Sequence, residues 1–247
     1  SDDIRFSQLN TPQTQINAVR KKYEGTSQWM KAPNGQPTKL NEMQWLQVRT
    51  PNFKAWFGDW ENDPKNASQV VDKNGEPMVV YHGSRQAGFT EFDESSDMFF
   101  TDRFDVAATY GSYDDVELPS IDAEFYDEHE GVYSAFIVAK NPINADFHGK
   151  TWFQSLDGMT ADDVVSKAKR LNNDGAIIDN IIDIGRHGFV SDKGDSTVYA
   201  VFNSNQIKSA TDNTGEFNPT NPDIRFSRKA KNPITEGIKS AANDAKN

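Results

Sequence analysis

Apolar positions in residues 12–23 fall at Ile16, Val19 and Tyr23, one face of a helix, with Pro12 in its first turn. Gly25 and the run Ala32-Pro33-Asn34-Gly35-Gln36-Pro37 interrupt that pattern. A second helical stretch is predicted from about Thr38, carrying Leu40, Met43, Trp45 and Leu46. After Thr50-Pro51 come four aromatics in eight residues, Phe53, Trp56, Phe57 and Trp60. They read as a core plug in preference to a ligand platform. Beyond the turn Asp72-Lys73-Asn74-Gly75 the period shortens, and strands are predicted at Met78–His82, Asp97–Thr101, Gly131–Val138, Ala176–Asp179 and Thr197–Phe202. Helices fit Asp105–Tyr110 and Ala161–Asn172, the second started by Thr160 with Asp162 and Asp163 in its first turn. The whole predicts an α+β chain with N-terminal helices.

Composition narrows what such a chain can do. The net charge of −11 argues against a nucleic-acid binder, whose affinity rests on neutralising phosphates, although a local basic groove stays open. Without cysteine there is no disulfide, zinc–thiolate site or thiol nucleophile, and the four histidines (82, 129, 148, 187) show no metal-ligand spacing. No apolar run has the length of a membrane span, so no membrane partner and no metal are expected. The acid-rich stretch 114–130 reads as a solvated loop, with contact to a basic target or a cation as the alternative. A mean hydropathy of −0.75 implies linker or tail beside the core.

Asp3-Ile4-Arg5-Phe6-Ser7 recurs as Asp223-Ile224-Arg225-Phe226-Ser227. The pair reads as boundary strings between modules of a longer chain; two short edge strands pairing within one domain are the alternative. The expected division is a boundary segment at 1–10, a domain at 11–220, and a boundary string with a mobile tail at 221–247.

Tyr81-His82-Gly83-Ser84-Arg85 ends a predicted strand, where a His can hold its ring over a cleft while a Gly lets the backbone approach a flat ligand. Phe99-Phe100-Thr101-Asp102 ends another strand, and a short helix then delivers Tyr110 before Gly111. Alone, His82 reads more readily as a structural histidine, and Tyr110 as packing.

Together the motifs resemble the catalytic pattern of poly(ADP-ribose) polymerases and other H-Y-E ADP-ribosyltransferases. A late strand, Val198–Phe202 with the trailing Gln206-Ile207, is similar to that family's last motif strand. Over most of the chain, VRTPNFKAWFGDWENDP, VVDKNGEPMVVYHGS, KNPI, DGAIIDNIID and NQIKSATDNTGEFNPTNPDIRFS resemble the ADP-ribosyltransferase module of bacteriophage and mobile-element polyvalent proteins. The resemblance implies two small packed sheets, antiparallel or mixed, around a cleft for NAD⁺ as substrate. It implies transfer of one ADP-ribose to a host macromolecule, protein rather than nucleic acid, with NAD⁺ hydrolysis or NAD⁺ binding with weak or no turnover as alternatives. A structural virion linker is the competing class outside enzymes. The implied setting is the cytoplasm of a bacterial host, with carriage in the virion as a further expectation, and a monomeric module in a larger chain.

By the same resemblance His82 bonds a ribose hydroxyl on the adenosine side. Gly83 offers its peptide to the nicotinamide amide, Ser84 lies beside the adenosine ribose, Tyr110 stacks on the nicotinamide ring, and Phe99 takes its opposite face or edge. Arg85 approaches the pyrophosphate or forms a surface ion pair; both readings stand. At one point the sequence departs from the family: aligned through Gln206, the position of the catalytic Glu falls on Val198. Asp195 brought in by a bulge, Gln206 orienting the acceptor, or loss of turnover would each answer this. Asp195 reads otherwise as a turn acid, and Gln206 and Lys208 as strand-end caps. Ala107 stands where the family places a nicotinamide-contacting Ser, at the cost of one hydrogen bond.

Overall fold

The computed structural model describes residues 11–86, 88–111, 131–185 and 195–225. Helix α1 (Pro12–Tyr23) starts on the Thr11 side chain and buries Ile16 and Val19, the face expected from the spacing. Helix α2 (Glu42–Gln47) begins later than the expected Thr38, because Asn41 and Gln44 form a reciprocal capping box. The Thr38 hydroxyl is committed elsewhere, to Glu76. Helix α3 (Pro51–Phe57) has Thr50 as its cap and Pro51 in its first turn. Phe53, Trp56, Phe57 and Trp60 are all buried, and Phe53 meets Phe136 and Phe217 edge-on at 5.3 and 4.9 Å. These aromatics are core.

Among the described residues seven strands follow: β1 (Val80–Gly83), β2 (Met98–Thr101), β3 (Val132–Ile137), β4 (Pro142–Thr151), β5 (Gly175–Ile182), β6 (Ser196–Val201) and β7 (Ile207–Ser209). They hydrogen-bond in the order β4-β5-β6-β2-β1-β3-β7, antiparallel except for β4 with β5. The two separate sheets expected are therefore one mixed sheet, although its middle is thin. β1 and β2 share a single register pair, Tyr81 with Thr101, so the sheet almost divides there.

Two strands escape the sequence pattern. β4 carries Pro142, Asn144, Asp146 and Gly149, poor strand residues that an edge with one neighbour tolerates, and its register shifts between Asp146 and Lys150. β7 is too short to show alternation. Between β4 and β5 runs helix α5 (Ala161–Arg170), capped by Thr160, whose Val164, Val165 and Ala168 pack on Ile178, Ile181 and Val198. Helix α4 (Phe104–Gly111) lies over β1.

Of the second copy of the repeated string, residues 223–225 are described, and Ile224 packs into the core. Ile224 is buried, its N–H donates to Thr90 O at 2.8 Å and its carbonyl accepts from Ser209 N at 2.9 Å. Ile224, beyond the expected end of the domain at 220, thus contacts Thr90 and Ser209. The first copy at residues 3–7, the acid-rich stretch at 114–130 and the tail at 228–247 lie outside the described residues.

Near that closure Lys208 is fully buried, its ammonium donating to Asn221 O, and burial lowers its pKa to about 8. The unfolded lysine keeps its proton to higher pH, so between pH 8 and about 10.5 the unfolded chain binds more protons and stability rises with pH. Lys208→Met should remove that rise, roughly 3 kcal/mol in full. Denaturation midpoints of both chains across this window measure it, and parallel curves would refute it.

Candidate active site

The near-division of the sheet makes the site. Ser84 N–H donates to Gly131 O at 2.7 Å, so Ser84, like His82 and Val80, turns its peptide groups toward β3. Strand alternation then points the N–H and C=O of Gly83 to the other side, toward β2. Along the register of Tyr81 with Thr101, the next pair would be Gly83 opposite Phe99, and the strands have parted there. His82 Nδ1 sits 2.7 Å from Phe99 O and supplies the donor that a ladder would have given. Burial pushes the His82 pKa down, opposed by that bond, so the ring is neutral with its proton on Nδ1. Nε2 is left as an acceptor. Phe92 and Phe100 fix the ring, with centroids at 4.9 and 5.5 Å.

A cleft of about 560 Å³ opens at this split, lined among others by His82, Gly83, Phe99, Tyr110, Asp183 and Val198. Its size is that of a small-molecule site. Tyr110 comes from the last turn of α4, which lies so close to β1 that a Cβ on Gly83 would stand 1.8 Å from Ala107 O. The Tyr110 phenol donates to Asp183 Oδ1 at 2.6 Å. Burial, then the Asp183 charge, raises its pKa well above the usual tyrosine range, so it stays protonated. Trp152 meets Phe99 edge-on at 5.3 Å, and Phe153 stands exposed at the rim.

Of the residues singled out from sequence, His82, Gly83, Phe99 and Tyr110 share this cleft, with Ala107 and Val198 in its walls. Ser84 and Arg85 lie just beyond its lining, and the Ser84 hydroxyl is occupied in a local turn with Gln86. Gln206 and Asp195 are not brought there. The Gln206 amide donates to Val138 O and Asp174 O at 2.6 and 2.7 Å, and its oxygen accepts from Phe202 N and Asn203 N. It is a clamp between strand ends, with every polar atom spent. Asp195 lies beside Gly149, and in the pairing of β5 with β6 the extra residue falls in β5, between Ile178 and Ile181. The strand distortion therefore does not swing Asp195 into the cleft.

Sequence reasoning missed Trp152, Phe153, Asp162 and the segment Asp183-Ile184-Gly185, all in the cleft lining. One signal existed: Asp183 and Gly185 follow an apolar strand, much as Gly83 follows His82 at the end of β1. Two carboxylates and no Lys or Arg stand in the described lining. Such a field favours a cation over a polyanion.

The family model for ADP-ribosyltransferases in polyvalent proteins matches residues 72–217, more than half of the chain. The match takes in β1 to β7 and leaves α1 to α3 outside it. Neither the curated proteins nor the solved structures give a match.

Proposed function

The chain belongs to the ADP-ribosyltransferases of polyvalent proteins, and from that membership we propose that its cleft binds NAD⁺ and passes one ADP-ribose to a host protein. The observation that carries this reading is the parting of β1 from β2, with the Gly83 peptide turned into the gap between His82 and Tyr110. A primary amide needs a donor and an acceptor side by side, and one residue's N–H and C=O supply both. Tyr110 and Phe99 offer aromatic faces to the pyridinium, whose positive charge suits them. Nε2 of neutral His82 can accept from a ribose hydroxyl.

Nicotinamide leaves NAD⁺ as a neutral molecule, so no general acid is needed to expel it. The protein's work is to hold the bent dinucleotide, stabilise an oxocarbenium-like ribose and align a nucleophile. Val198, buried where the family carries its Glu, fits single transfer better than chain growth. The acidic lining and net charge of −11 favour a basic protein surface over nucleic acid as acceptor. The same Val198 supports a second reading, NAD⁺ hydrolysis or binding with little transfer. Action in a host cytoplasm, virion carriage and a place in a longer multidomain chain remain part of the proposal, on the family's character.

Labelled NAD⁺ incubated with host lysate separates these readings. Label on protein supports transfer, free ADP-ribose alone supports hydrolysis, and binding without turnover supports a binding module. Tyr110→Ala should lower NAD⁺ consumption about 100-fold, because the ring loses its stacking partner and its alignment. Equal consumption by wild type and variant would remove the cleft from the chemistry.

A further inference from the structure

The cleft has lost the carboxylate expected of it at Val198, yet a carboxylate stands in it from another strand. We propose that Asp183 is the acid of this site, holding Tyr110 through one oxygen and presenting the other to the cationic end of the dinucleotide. This rests on the NAD⁺ reading above and deepens it.

Asp183 directly follows β5, the strand paired with β6 on which Val198 lies. Its Oδ1 accepts the Tyr110 phenol at 2.6 Å and Gly185 N–H at 2.9 Å. Oδ2 makes no hydrogen bond among the described residues. The placement is built rather than incidental. Gly185 has φ +59, and a Cβ there would stand 2.4 Å from Thr109 Oγ1, so only a glycine lets the 183–185 turn lie against α4. The turn and the helix carrying Tyr110 are thereby fixed to each other.

Other acids nearby are less suited. Asp102 accepts Thr197 N–H at 2.9 Å, Asp179 accepts the Thr197 hydroxyl at 3.0 Å, and neither lines the cleft. Asp162 does line it, but as an exposed residue in the first turn of α5, with no contact to Tyr110.

In the reaction, the bond from ribose C1′ to the pyridinium nitrogen breaks and its electron pair leaves with neutral nicotinamide. A lone pair on the acceptor's oxygen or nitrogen forms the new bond to C1′. The acceptor's proton passes to the Asp183 carboxylate and on to solvent. Between these events the carboxylate faces the positive charge that grows on the ribose, where a fixed anion in an aromatic cleft has its largest effect.

The test compares Asp183→Asn and Asp183→Glu with wild type and Tyr110→Ala, following NAD⁺ consumption, NAD⁺ binding and thermal unfolding. Asp183→Asn is expected to lower kcat about 100-fold with the Kd for NAD⁺ within about 3-fold, and Asp183→Glu to recover about a tenth or more of the wild-type rate. Wild-type kcat in Asp183→Asn, with Tyr110→Ala impaired, overturns the role of Asp183 alone. So does a parallel loss of binding and rate that Asp183→Glu fails to rescue, since that marks a purely structural residue. A wild-type chain that neither binds nor consumes NAD⁺ defeats the reading of the cleft and this proposal with it.

Discussion

Replacing Gly83 by alanine is expected to cost on the order of 3 kcal/mol of stability and to lower NAD⁺ turnover about 1000-fold. The added methyl would stand 1.8 Å from Ala107 O and 2.8 Å from Tyr110 Cβ. The first of these is backbone inside a helix and cannot rotate away. α4 must therefore retreat from β1 by an ångström or more, taking Tyr110 with it. The substitution also crowds the peptide that the proposal assigns to the nicotinamide amide. Two measurements separate the effects: thermal unfolding reports the packing loss, and turnover of the folded fraction reports the misplaced ring. An alanine variant with wild-type stability and turnover would mean that α4 and β1 do not touch as described.

Arg49→Ala is expected to cost about 3–5 kcal/mol, close to 10 °C in melting temperature for a domain of this size. Arg49 and Glu76 are both buried, 3% and 1% exposed, with Nη2 at 2.9 Å from Oε1. The guanidinium also donates to Trp45 O and Lys31 O, each at 3.0 Å, and lies 3.9 Å from the Trp45 ring centroid. Removing it leaves the Glu76 carboxylate buried with Thr38 as its remaining partner. The penalty is mainly that stranded charge. Arg49→Met with Glu76→Gln should accordingly be less destabilised than Arg49→Ala alone. A single variant that melts with wild type would sink the argument. The pair joins the helices outside the family match to Glu76 within it, so its loss should loosen α1 to α3 first.

Where the sequence was legible, a repeating pattern or a strong local rule made it so. The i, i+3, i+7 face of α1 and the Thr160 cap of α5 are local, decided within one or two turns. The runs at β1, β2, β3, β5 and β6 each lie between two neighbouring strands and bury apolar residues in the core. β4 had no such run, and edge strands need none. His82 and Tyr110 were legible through motif spacing, since strand end and helix end each fix a side chain over the same gap.

The apparatus around them was not. Asp195 and Gln206 are near Val198 in sequence, yet one sits beside Gly149 and the other clamps Val138 and Asp174. Asp183 is far from Tyr110 along the chain and 2.6 Å away in space. The repeated string looked like a spacer, and its Ile224 proved to be core. The chain's own pattern determined which segments are helix or strand, which faces are apolar, and that a His-Gly and a Tyr-Gly would end two of them. Tertiary structure alone decided where β1 and β2 part, which carboxylate meets Tyr110, and which polar side chains are consumed as clamps. Periodicity records each residue's burial relative to its own backbone, whereas hydrogen-bond pairing across the sheet depends on which distant strand arrives alongside.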